Sequence, residues 1–243
     1  MYPSLEERSA DRQRVAFSDA FKRLCWPLEG AFPGALSVMR TMRGALEAKE
    51  PLQRADGTWH EIASLPLTEP KVSSLKAYVP MLDEYEANWA ARHKHHATAE
   101  YETYEGLDED DLEDNDLGYD TQYLAFCCDQ ERPEGKDGLS LQVMPAEGKD
   151  FVTIYDYVSV VHPWIMSLRE DIIQAVTVLG DGTNMALEVA RAMEWKISVR
   201  SGSRHQILSD REWLSDHTTP EPLDEATRNL LRAAGTSRDL TRP

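Results

Sequence analysis

Cysteine is scarce in this chain: 243 residues hold three, Cys25, Cys127 and Cys128. So odd and sparse a set excludes a disulfide scaffold and points to a reducing compartment, cytoplasm or nucleus. Long apolar runs are missing as well. None approaches the ~20 residues that span a bilayer. The N-terminal stretch mixes Glu6, Glu7 and Asp11 with its arginines and lacks an apolar segment, so neither a secretory signal nor a transit peptide is expected. The motifs of phosphate loops, nucleophile elbows and zinc-type Cys/His spacing are also absent. Gly180-Asp181-Gly182 offers amide donors but follows a helical pattern rather than a strand, which excludes the dinucleotide and P-loop readings.

Positive charge is in short supply: 26 basic side chains face 43 acidic ones, for a formal net charge of -17. The deficit is local. Residues 1–54 carry nine bases and seven acids, and residues 191–243 carry nine and eight. The middle of the chain therefore holds the whole excess. Its field repels nucleic acid and anionic membranes and favours a basic protein surface or cations. Nine acids and no base fall between Glu105 and Asp120. That run reads as a flexible loop within one domain spanning 1–243, with a frayed tail over 235–243. Asp114-Asn115-Asp116-Leu117-Gly118 resembles a calcium loop, but its glycine is one position early and no glutamate closes it.

Apolar residues make up 41% of the chain, enough for an ordinary core. Their spacing predicts helices over Leu5–Leu24, Ala35–Lys49 and Pro80–Tyr101, the last with proline in the first turn. Tyr123–Cys128 and Leu139–Val143 read as strands paired in a long-looped antiparallel hairpin, with Trp195–Val199 as a further strand. Thr153 to Leu179 carries apolar residues at steps of three and four, starts at a Thr153/Asp156 capping pair, and is expected to break at His162-Pro163. A shorter helix is expected over Asn184–Met193 and a last one from Pro222. The fold class that follows is α+β: mostly helical, with a small antiparallel sheet packed on a long kinked helix.

Two constellations carry chemistry. Asp156, Ser159, His162 and Arg169 share one side of the long helix, beside a carbonyl that Pro163 leaves without its usual donor. A histidine there suits a general acid or base, with Arg169 as an anion contact. A serine triad is excluded, because three such residues on one helix face point outward side by side. His93 and His96 are neighbours on the third helix, with Glu100 within reach. Imidazole and carboxylate on one face are ingredients of a divalent-metal site. Cys127 and Cys128, read as adjacent strand residues, face opposite ways: one packs inward, one outward.

The segment Phe151-Val152-Thr153-Ile154-Tyr155-Asp156-Tyr157-Val158-Ser159-Val160-Val161-His162-Pro163-Trp164, followed by Leu168-Arg169-Glu170-Asp171-Ile172, resembles one in uncharacterised proteins of filamentous fungi. In those, Thr-x-x-Asp-Tyr-Val precedes His-Pro-Trp. The resemblance implies a fungal source and brings no activity. The leading expectation is a non-enzymatic binding or protein-interaction domain that needs no cofactor, with a basic protein surface as partner. An enzyme using His162 and a metal-binding protein using His93, His96 and Glu100 are the alternatives. Oligomeric state is left open.

Overall fold

The structure, a computed structural model, describes residues 2–103, 122–136, 138–179, 185–200 and 204–218. The acidic run at 105–120, the Gly180-Asp181-Gly182 stop, the helix from Pro222 and the tail at 235–243 lie outside the described residues. The described residues hold seven α-helices: α1 (Leu5–Ala10), α2 (Pro80–Asp83), α3 (Tyr85–His93), α4 (Ile154–Ser167), α5 (Arg169–Val178), α6 (Leu187–Ala192) and α7 (Asp210–His217). The strands are β1 (Ala16–Phe17), β2 (Leu24–Cys25), β3 (Ser37–Val38), β4 (Glu50–Pro51), β5 (Thr68–Glu69), β6 (Leu75–Tyr78), β7 (Glu100–Thr103), β8 (Gln122–Cys127), β9 (Gln130–Glu131), β10 (Ser140–Val143), β11 (Trp195–Arg200) and β12 (Arg204–Ser209). They form four sheets, in the orders β1-β5, β2-β3-β4, β7-β8-β9 and β10-β6-β12-β11. The last is mixed, since β12 runs parallel to β6 while its other pairs are antiparallel.

The expected mostly helical fold is therefore corrected. Helix accounts for 34% and strand for 25% of the described residues, so neither dominates. Local chemistry explains each departure. α1 is started by a capping box, with the Glu7 amide donating to Ser4 Oγ and the Ser4 amide to Glu7 Oε2. It stops after six residues, and Arg12 then adopts a left-handed φ of 56° that no helix continues through. Ala16-Phe17 next pairs with Thr68-Glu69. Over Ala35–Lys49 the helical spacing is coincidental. Leu36 and Val38 are buried in strand-like alternation, and Leu46, assigned to the apolar face, is 80% exposed. The third helix does begin at Pro80, but it divides at Glu84 and ends at His93, so Tyr101 stands in β7.

Among the described residues there is no long helix kinked at proline. Pro163 lies inside α4, and the chain breaks five residues later at Leu168, whose backbone (φ -100°, ψ 4°) leaves the helix before α5 begins. Apolar spacing runs through Leu168 unbroken, so periodicity could not reveal the break. Nor does β8 pair with β10. β8 turns back on β9 and also pairs with β7, while β10 goes to β6.

The core gathers around α4. Ile154, Tyr157, Val158, Val161 and Ile165 are fully buried, and Tyr157 meets the rings of Phe17, Phe21 and Trp26 at 5.7–6.3 Å. The start of α4 is set by its capping box. The Asp156 carboxylate accepts from the Thr153 amide at 2.9 Å and from its hydroxyl at 2.6 Å, all within the buried interior. Asp156→Ala leaves two buried donors without a partner and is expected to cost about 2 kcal/mol of stability. Urea denaturation measures this directly, and an unchanged unfolding midpoint would show that the box does not hold α4.

Candidate metal centre

Helix α3 presents Tyr85, Trp89 and His93 inward at steps of four, so the ring of His93 is buried at the helix end. Its Nδ1 lies 2.9 Å from the Trp89 carbonyl, which makes Nδ1–H the donor and leaves Nε2 as the basic nitrogen. Desolvation lowers the His93 pKa, against the opposing pull of the Trp89 carbonyl, and so favours the neutral ring that binds metals. Beyond His93 the chain turns tightly, with the His96 amide donating to the His93 carbonyl. The two imidazoles meet edge to face at 5.1 Å.

The hairpin of β8 and β9 approaches this helix end. Its turn is two residues long, Cys128 and Asp129, with φ of 53° and 60°. Two positive φ angles define the type I′ turn that suits the twist of paired strands. A cysteine there is strained by roughly 1–2 kcal/mol. The turn also undoes the strand expectation, because Cys128 is not a strand residue and its side chain does not oppose that of Cys127. Both sulfurs point towards His96. Cys128 Sγ lies 3.2 Å from His96 Nδ1, Cys127 Sγ lies 3.6 Å from the same nitrogen, and the two sulfurs are 3.6 Å apart. Thr98 Oγ1 stands 3.4 Å from Cys127 Sγ. Cys127 is buried and Cys128 exposed, and burial pushes the Cys127 thiol up.

One ligand atom from each of His93, His96 and Cys128 thus falls within 4.8 Å of the other two. Glu100, expected as a third ligand, is not among them. It sits on β7 opposite Phe126 and faces a groove of about 590 Å³ shared with Glu86, Glu102, Glu131 and Arg132. There the Arg132 guanidinium pairs with Glu86 at 2.7 Å and lies over the Tyr123 ring. Sequence spacing singled out the two histidines. It missed Cys128, which the fold brings in from 32 residues away. The usable signal was Cys-Asp at the end of a strand, since aspartate favours a turn and only a turn could swing Cys128 round.

The other constellation is taken apart by the structure. His162 is 1% exposed, and both of its nitrogens are engaged. Trp26 Nε1–H donates to Nδ1 at 2.8 Å, so Nε2 carries the proton and donates to the Gly30 carbonyl at 2.9 Å. No lone pair is left for general base chemistry. Asp156 caps α4, Ser159 Oγ donates back to the Asp156 carbonyl at 3.2 Å, and Arg169 Nε donates to the Leu28 carbonyl at 3.0 Å. The four side chains serve separate structural bonds and do not converge.

A second buried histidine works the same way. His205 Nδ1–H donates to the Tyr78 carbonyl at 2.6 Å, and Nε2 accepts from the Tyr157 hydroxyl at 3.0 Å. Desolvation pushes its pKa down to about 4, with the Tyr78 carbonyl opposing. Desolvation lowers His162 too, against the Gly30 carbonyl, and His60 likewise, against Glu50.

No protein-family model, no curated protein and no solved structure matches the chain.

The histidine shifts set a pH dependence. His205 is held below its ordinary value of 6.5 in the folded state. Between about 4 and 6.5 the unfolded chain takes up a proton that the native chain refuses. Stability therefore falls as pH drops through that window and is fully present above it. His205 alone accounts for on the order of 3 kcal/mol across those 2.5 units, and His162 and His60 add in the same direction. Unfolding midpoints at pH 7 and pH 5 read the effect, and equal midpoints would refute neutral, buried imidazoles.

Proposed function

We propose that this chain is a non-enzymatic metal-binding protein that holds one Zn²⁺ ion through His93, His96 and Cys128, with Cys127 as fourth donor. One observation carries the reading: three of the donor atoms already stand at the edges of a coordination tetrahedron. Zinc bonds of about 2.0 Å to nitrogen and 2.3 Å to sulfur imply N···S edges of roughly 3.5 Å and an S···S edge of roughly 3.8 Å. The corresponding distances are 3.2, 3.6 and 3.6 Å. His93, whose ligand atom lies within 4.8 Å of those of His96 and Cys128, would move in to complete the set, and the Trp89 carbonyl orients its ring through Nδ1, as carbonyls do for zinc-bound histidines. Two imidazoles and two thiolates select a borderline-soft cation over Mg²⁺ or Ca²⁺.

The ion would tie the end of α3 to the β8–β9 turn. Its likeness is to a closed structural site, since four protein donors leave no position for a substrate. Free thiols at all three cysteines suit a reducing compartment, cytoplasm or nucleus. Among the described residues no helix is long and apolar enough to cross a membrane.

Untagged protein, stripped with chelator and titrated with Co²⁺ and Zn²⁺, tests the reading. One ion per chain and thiolate-to-cobalt charge-transfer absorption are expected. Cys128→Ser should diminish that absorption and weaken zinc binding at least tenfold, about 1.4 kcal/mol. His93→Ala should weaken zinc binding similarly, and Glu100→Gln should leave it unchanged. Protein that emerges from gel filtration without zinc, and gives no charge-transfer band with cobalt, would end the proposal.

A further inference from the structure

The two thiols at the hairpin differ in one respect that the metal reading does not use: one faces solvent and one does not. Cys128 Sγ is exposed, Cys127 Sγ is fully buried, and they lie 3.6 Å apart. An exposed sulfur meets a dissolved oxidant first. A protected sulfur beside it is spared that encounter but is placed to attack the product. This is the arrangement of a reactive and a resolving cysteine. The third cysteine, Cys25, is buried in a separate small cluster with Met39, Ala45 and Trp213.

We infer that Cys127 and Cys128 are a peroxide-oxidisable dithiol, closing reversibly to a disulfide between adjacent residues. The chemistry balances with hydrogen peroxide or an alkyl hydroperoxide as oxidant. The Cys128 thiolate attacks one peroxide oxygen, an S–O bond forms, the O–O bond breaks, and water or an alcohol leaves after protonation. Cys127 sulfur then attacks the Cys128 sulfenic acid. The S–S bond forms, the S–O bond breaks, and the hydroxide leaves as water with the Cys127 thiol proton. Two thiols lose two electrons and two protons, and the peroxide takes up both pairs.

The backbone explains why the product is readily reversed. Adjacent Cα atoms stand about 3.8 Å apart, short of the ~4.4–6.8 Å that relaxed disulfides span. A strained bond is the more oxidising one and is returned to thiols by ordinary cellular reductants. The left-handed Cys128 is what makes closure feasible at all. In a regular strand the two sulfurs would lie on opposite faces; at φ 53° they share one.

Oxidation also removes both sulfur donors from the zinc set, so bound metal is released as the disulfide forms. That second half rests on the zinc reading above, whereas the oxidation itself does not. The experiment separates them. Metal-free and zinc-loaded protein are each treated with one equivalent of hydrogen peroxide, then assayed for free thiols, intact mass and free zinc. The expected metal-free product has lost two of its three thiols and two hydrogens, carries a link within the peptide holding residues 127 and 128, and is restored by dithiothreitol. Cys128→Ser, a change at an exposed position, abolishes the loss of hydrogens, and the zinc-loaded protein releases one ion per two thiols lost. Thiols that persist, oxygen added irreversibly at Cys128, or a dimer joined through Cys128 would overturn the inference. A chain that forms the internal disulfide yet binds no zinc overturns only the metal reading.

Discussion

Two imidazoles that have to stay neutral hold this fold together. His162 accepts from the Trp26 indole and donates to Gly30, while His205 accepts from the Tyr157 hydroxyl and donates to Tyr78. Each ring uses one nitrogen as donor and one as acceptor, so a proton added to His162 would set its N–H against the Trp26 indole N–H, and one added to His205 would place a charge in a dry interior. Through these bonds α4 is fastened to the segment at residues 26–30 and to the mixed sheet. Tyr157 and His162 are five residues apart, hence roughly 140° around the helix. The helix is gripped from two sides. That grip explains how Pro163 is carried without a break: the proline removes one backbone bond, and side-chain bonds on both flanks hold the axis in place.

How much of this was legible follows from the range of the signals. The Thr153/Asp156 box and the Pro80 helix start are encoded within four residues, and both are present as read. The burial of Val158, Val161 and Ile165 also followed from spacing. The failures are non-local. Leu36 and Val38 fit a helix and a strand equally well until β2 and β4 arrive to pair with β3. Pro163 announced a break that tertiary bonds suppress, and Leu168 gave no sign of the break that exists. The pairing of β10 with β6 spans more than sixty residues, while the nearer partner, β8, is taken by a two-residue turn whose chemistry was not recognised.

The candidate site divides along the same line. His93 and His96 were visible because their spacing lies on a helix and the turn that ends it. Glu100 was attached to them by extending that helix past its end, and β7 carries it away. Cys128 was hidden by an opposite error, the extension of a strand by one residue. A period-2 element turns each side chain over at every step, so a boundary misplaced by one position moves a sulfur to the wrong face. Here that one position decides whether Cys128 faces away from His96 or stands 3.2 Å from its Nδ1.

Placement of the histidines tells the two kinds of site apart more surely than residue type does. In the core, His162 and His205 have both nitrogens engaged, which makes them rigid connectors with nothing left to offer. At the end of α3, His93 gives one nitrogen to its own helix and keeps the other, and His96 directs Nδ1 at two sulfurs. The position adds to this, since the carbonyls of a helix C-terminus attract positive charge. A strained Cys128 needs some compensating interaction to be retained, because an Asn-Gly turn would close the same hairpin at lower cost. The proposed cation, bound by both segments, with thiols that oxidation could withdraw, would supply that compensation and would account for a cysteine in a conformation that turn geometry alone does not favour.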